Sequence, residues 1–263
     1  MESQIYLLPI TFPLWGIFLG IVSMALLALE LGFILGRRRQ RRGKTNVHEE
    51  PRAMSGALLG FLAFVLAITF GNQESRFDRY RKVAVDEANA IQKAWLDAEW
   101  VPSPHREDIR ASLREYTDSR IEGLRADDFD RVTSDADRLH DQMWNQLRAA
   151  GQGADGEKPI GQLAQSIANI RSLHNTRLAI GVLERMHPAA WSTLIILMVL
   201  GMGSMGYNAG ITGSRRTGVR VLLVVSFSLL VTIIADLNKP EVGWISVDQR
   251  ALEYVQKRMP VNP

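Results

Sequence analysis

Four apolar stretches divide this chain, at Phe12–Leu35, Ala57–Phe70, Ala189–Met205 and Val219–Ala235, and the segments between them hold nearly all of its charge. The first runs for 24 residues, broken only by Pro13 near its start and Glu30 near its end. At about 1.5 Å per helical residue such a run crosses about 30 Å of hydrocarbon. The mean hydropathy of -0.04 over 263 residues averages these membrane segments against polar ones and hides them.

The flanks of the stretches predict how they are oriented. A cleaved secretory signal carries positive charge ahead of its apolar core. Here Met1–Pro9 has no Lys or Arg, while Arg37, Arg38, Arg39, Arg41, Arg42 and Lys44 follow the first stretch. That order predicts an uncleaved anchor. The loop from Gly36 to Ala53 carries seven Lys and Arg against two Glu, and the positive-inside rule puts it in the cytoplasm. The second stretch spans if it takes in Met54–Gly71. The third opens after Pro188, a residue suited to a first helical turn. The fourth has Arg215, Arg216 and Arg220 on its inner side.

The resulting fold class is an all-α membrane protein with four transmembrane helices and a helical extramembrane bundle between spans two and three. Residues 1–71 form a first transmembrane hairpin with spans 12–35 and 54–71. Residues 72–187 form the bundle, residues 188–235 a second hairpin with spans 189–206 and 219–235, and residues 236–263 a tail. The expected setting is a bacterial inner membrane, with the N-terminus, bundle and C-terminus on the outer face. The bundle carries 17 Lys and Arg and 20 Asp and Glu, so the basic residues concentrate in the inner loops. Those loops fit contact with anionic lipid. A net charge of +3 gives no support to a nucleic-acid partner.

Helical periodicity continues past Gly71 through Phe77, Tyr80, Ala84, Ala88, Ile91 and Trp95, so the second span is expected to extend outward until Trp100–Pro104. Ser103, Pro104 and Glu107 form a helix-opening signature for a segment ending near Leu124. A further helix is expected from Asp127 or Asp128 to Ala150. After the loop GQGADGEKP at 151–159, one helix is expected from Ile160 to Met186.

Signals for catalysis are absent from the sequence. The five histidines stand apart, none in a spacing that puts two imidazoles on one helix face, and they are assigned surface or packing roles. Asp86 and Glu87 are adjacent and diverge by about 100° on a helix, which prevents joint acid and base work. Zero cysteines exclude thiolate chemistry. No metal or other cofactor is implied. Two features remain. Leu62, Leu66 and Phe70 are spaced four apart on the second span and could form a hydrophobic constriction if several copies met, although spacing alone favours ordinary packing against lipid or neighbouring helices. Glu30, an acid inside an apolar stretch, is a candidate intramembrane ion or pairing site. Its milder explanation is a reach toward Arg37 or Arg38.

Residues 58–102 resemble the second span and following helix of the bestrophin-like membrane proteins through Val85, Glu87, Ala88, Ala90, Ile91 and Pro102. The segment Asp236–Val255 is similar to that family's Asp-Leu-Asp-Arg-Pro signature, departing from it at Asn238 and Lys239. More distantly, Leu62, Leu66, Phe70 and Asn72 resemble the neck helix of bestrophin channels. That resemblance implies an oligomeric transmembrane ion channel, pentameric on the bestrophin pattern, moving inorganic ions through a neck of Leu62, Leu66 and Phe70. Asn72, Arg76, Arg79, Asp86 and Glu87 would then stand at the pore mouth or vestibule. The competing expectation is a non-conducting envelope protein whose outer bundle binds a partner or senses a ligand.

Overall fold

The computed structural model describes residues 13–42, 50–126, 129–151, 157–213, 217–240 and 243–260. Among the described residues there is no strand, and four helices are long and apolar enough to cross a membrane. The helices are α1 (Leu14–Arg41), α2 (Glu50–Asp97), α3 (His105–Ala126), α4 (Phe129–Ala150), α5 (Glu157–Leu178), α6 (Pro188–Thr212), α7 (Thr217–Leu237) and α8 (Arg250–Lys257). The chain is an all-α membrane protein, with extramembrane helices α3 to α5 between the second and third spans and α8 after the fourth. Each spanning helix outruns its apolar stretch at one or both ends, because helical hydrogen bonding continues where hydropathy does not.

The chain folds into two compact units, Met1–Ser75 with Met186–Asn238 and Arg76–Arg185 with Lys239–Pro263. In the first, α1 and α6 approach at backbone distance. A Cβ on Gly206 would come within 2.8 Å of the Leu29 carbonyl carbon, and one on Gly32 within 2.9 Å of the Tyr207 backbone nitrogen. Only hydrogen fits there, and small residues give membrane helices dispersion contact without a hydrophobic driving force. Ser204 bonds across to Ser55 at 2.7 Å, whereas Ser192 and Thr193 turn back to the Ala189 carbonyl of their own helix. Pro188 takes the first turn of α6 as expected, and the His187 side chain caps it by accepting from the Ala189 N–H. Leu27, Leu31, Leu200 and Leu222 remain exposed, as lipid-facing side chains do.

The second unit packs the C-terminal half of α2 with α3, α4 and α5 around Ile91, Ile109, Leu113, Leu139, Met143 and Ile167. Leu252, Val255 and Met259 on and after α8 enter the same core, so the tail segment belongs to the bundle. Helix α2 ends in a 3-10 turn at Ala98–Trp100, where Pro102 and Pro104 follow. The helix expected to run unbroken from Ile160 to Met186 instead starts at Glu157 and gives way to a π-helical turn at Ala179–Leu183. The widened turn releases carbonyls that a regular helix would use. Arg76 takes them, its Nη2 donating to the Ile180 and Gly181 carbonyls at 2.7 and 3.0 Å and its Nε to Ile180 at 3.0 Å. Periodicity could not anticipate a break stabilised by an arginine 104 residues away.

Candidate functional site

The most constrained polar group in the bundle is Glu87, which sits on the buried stripe of α2 with no exposed surface. Helix α3 sends two residues to it from adjacent turns of one face. The Tyr116 hydroxyl donates to Oε1, and Arg120 approaches with Nε 3.2 Å from Oε1 and Nη2 3.3 Å from Oε2. Helix α5 supplies Arg177, whose Nη1 donates to Oε2 at 2.8 Å while its guanidinium lies 5.0 Å from the Tyr80 ring centroid. His174, one turn before Arg177, puts Nδ1 3.4 Å from the Tyr116 oxygen. His140 of α4 packs edge-on to Tyr116 at 5.1 Å and donates from Nδ1 to the Ala136 carbonyl at 2.7 Å. All four main helices of the bundle meet at this point.

Electrostatics fix the protonation states. Burial alone would push the Glu87 carboxyl up, but Arg120, Arg177 and the Tyr116 hydroxyl outweigh it and hold the pKa at about 2. Burial, reinforced by the Glu87 charge, drives the Tyr116 hydroxyl well above its ordinary value. Burial also lowers both imidazoles, and with Arg120 adding repulsion His174 falls to about 4. The centre therefore holds one anion, two guanidiniums and two neutral histidines whose Nε2 atoms have no hydrogen-bond partner. Among the described residues no group of three or more His, Asp or Glu is placed to hold a metal ion.

Of the residues expected at a pore mouth, Asn72 and Arg79 are exposed, Arg79 pairing with Glu184 at 2.7 Å, and Asp86 is half-buried. Arg76 and Glu87 do not lie on an open surface: Arg76 closes the π-helical turn, and Glu87 anchors the ionic centre. On the second span, Leu62 and Leu66 are fully enclosed by their own chain with Ala25, Leu29, Met198 and Met202, and Phe70 packs at the edge of that core. Leu62 lies over Gly201 of α6. The face of α2 that the chain leaves uncovered carries Phe61, Phe64 and Ile68. Glu30 is exposed on α1 and makes no hydrogen bond or ion pair among the described residues, Arg37 and Arg38 included.

The partners of Glu87 carry a sequence signal of their own. Tyr116 and Arg120 continue the apolar spacing of Ile109 and Leu113, and His174 and Arg177 continue that of Leu163, Ile167 and Ile170. Polar residues on a core stripe must find partners when buried. Of the remaining histidines, His105 bonds Gln146 and His187 caps α6, while His48 lies outside the described residues.

An all-α protein with four membrane helices and a helical bundle between the second and third is the class this architecture defines. The sequence matches the Bestrophin-like domain over residues 16–252, and the chain belongs to that family. No curated protein matches it. Among solved structures, variants of a bacterial bestrophin homolog from Klebsiella pneumoniae are similar. One superposes with a TM-score of 0.65 at 15% identity, covering 91% of this chain and 97% of that one. Another gives 0.64 at 16% identity, covering 94% and 98%. These likenesses are of fold.

Proposed function

We propose that the chain is a subunit of an oligomeric ion channel, with the second span as its pore helix. Membership of the bestrophin-like family over residues 16–252 carries this reading, through the resemblance to bestrophin channels. The uncovered apolar face of α2 supports it, since a pore helix must leave one face free of its own chain. A pentamer is the assembly that the resemblance favours.

Two stripes compete for the neck. Leu62 and Leu66 are enclosed within one chain, so the Leu62, Leu66 and Phe70 stripe lines a lumen only if α2 turns on assembly. Phe64 and Ile68, spaced four apart and uncovered, meet a lumen without rotation. Either stripe can gate by dewetting. Asn72, Arg79 and Asp86 would face the vestibule, with Arg76 and Glu87 fixing its wall from behind. Liposome flux separates the alternatives: Leu66→Ala and Phe70→Ala raise conductance in the first case, Phe64→Ala and Ile68→Ala in the second. A monomer in detergent with no flux above empty liposomes ends the channel reading.

The basic loops favour an inner-membrane topology with the N-terminus, bundle and C-terminus outside. The chain has no cysteine, so Gln142→Cys on the exposed face of α4 gives one thiol. Labelling by an impermeant maleimide on intact cells supports this orientation, and protection reverses it.

A further inference from the structure

Three segments of the bundle lie close to the spans along the chain: Phe77–Ala84 after the second, Ile180–Leu183 before α6, and Pro240–Val247 after α7. They meet in one apolar cluster, where Tyr80 and Ala84 pack with Ile180 and Val247. The Val247 N–H donates to the Pro240 carbonyl at 3.0 Å. Within three residues of Ile180 and Val247 along the chain, large apolar side chains are exposed. Leu183 is 75% exposed, Trp244 62% and Ile245 41%. Water-soluble surfaces tolerate single residues of this kind, but three flanking one buried cluster along the chain call for an apolar neighbour.

We propose that Leu183, Trp244 and Ile245 form a lipid-facing foot that inserts into the headgroup and upper acyl region of the bilayer. Covalent reach favours lipid over other occupants. Four residues separate Leu183 from Pro188 at the start of α6, so even a fully extended link is no longer than about 18 Å. Six residues separate Leu237, the end of α7, from Trp244. Each is thus tethered near the point where its neighbouring span leaves the membrane. The chemistry agrees: indole favours the membrane interface, where an apolar ring and a polar N–H are both accommodated. Beside Leu183 the Arg79 and Glu184 ion pair supplies charge suited to headgroup depth. The foot is independent of whether the protein conducts ions.

The test uses the full-length, cysteine-free chain in phosphatidylcholine nanodiscs. Leu183→Cys and Ile245→Cys carry a bimane label, with labelled Gln142→Cys as reference. Because interfacial groups sit at headgroup depth, lipid with a nitroxide near the headgroup is expected to quench both foot sites about twofold. Nitroxide at the acyl-chain end quenches them less, and the reference site responds to neither. Labels left unquenched by both lipids overturn the proposal. A blue-shifted but unquenched emission would mean that protein, such as a second copy, covers the patch, and overturns it equally.

Discussion

Arg177 and Glu87, 90 residues apart, form a 2.8 Å ion pair in which neither side chain reaches solvent. Such a pair is weak evidence for net stability, yet breaking it strands a buried charge at a cost of about 3–5 kcal/mol. Glu87→Gln leaves Arg120 and Arg177 without an anion, and its thermal unfolding in detergent is expected to occur far below that of the parent. Arg138→Ala, which removes an exposed pair with Glu115, should leave the transition where it was. Equal melting of the two variants would contradict the assignment.

The same centre predicts acid lability. His174, held at about 4 against a usual 6.5, binds a proton more readily unfolded than folded. Its contribution is complete above pH 6.5 and is lost as the pH falls toward 4. His140 shifts in the same direction through burial. Glu87, held at about 2 against 4.5, contributes fully above pH 4.5 and loses that contribution as the pH falls toward 2. Stability followed by circular dichroism should therefore decline from pH 6.5 downward, and His174→Gln should flatten the upper part of the decline. An unchanged profile would remove His174 from the explanation.

Contact between α1 and α6 predicts a sharp dependence on side-chain size. At Gly206 the obstacle to a Cβ is the backbone at Leu29 and Phe33, which cannot step aside as a flexible side chain can. Gly206→Ala is expected to destabilise by about 1–3 kcal/mol through overpacking. Gly20→Ala, on α1 with nothing within 4 Å, should be neutral or slightly stabilising. Chemical unfolding in mixed micelles compares the two directly.

Glu30 lies seven residues before Arg37, about 10 Å along the helix axis. Helical side chains lean toward the N-terminus, so Glu30 is directed away from the basic end of α1. A carboxylate in this position calls for a water-filled path or a neighbouring chain. Under the channel reading, Glu30→Gln is expected to lower the cation-to-anion permeability ratio, measured as a reversal potential across a potassium chloride gradient. An unaltered potential would take Glu30 off the ion path.

Much of the architecture was legible because solvation by lipid is a property of consecutive residues. A long apolar run reports a span whatever its neighbours in space. The bundle helices were equally open to periodicity, down to the ends near Trp100 and Ala150. The π-helical turn at Ala179–Leu183 was not, since it depends on Arg76 arriving from another helix. Nor were the partners of Glu87, which come from positions 29, 33 and 90 residues away.

The sequence by itself determined the class, the four spans, the helical bundle and the family resemblance, all of which rest on local composition and spacing. Tertiary structure alone decided which face of each helix is covered. Leu62 and Phe64 are equally apolar in sequence, yet α6 with its Gly201 covers the first and leaves the second open. It also decided that Glu87 is a fully buried anion, because two guanidiniums from α3 and α5 offset the desolvation that would otherwise keep a carboxylate at the surface.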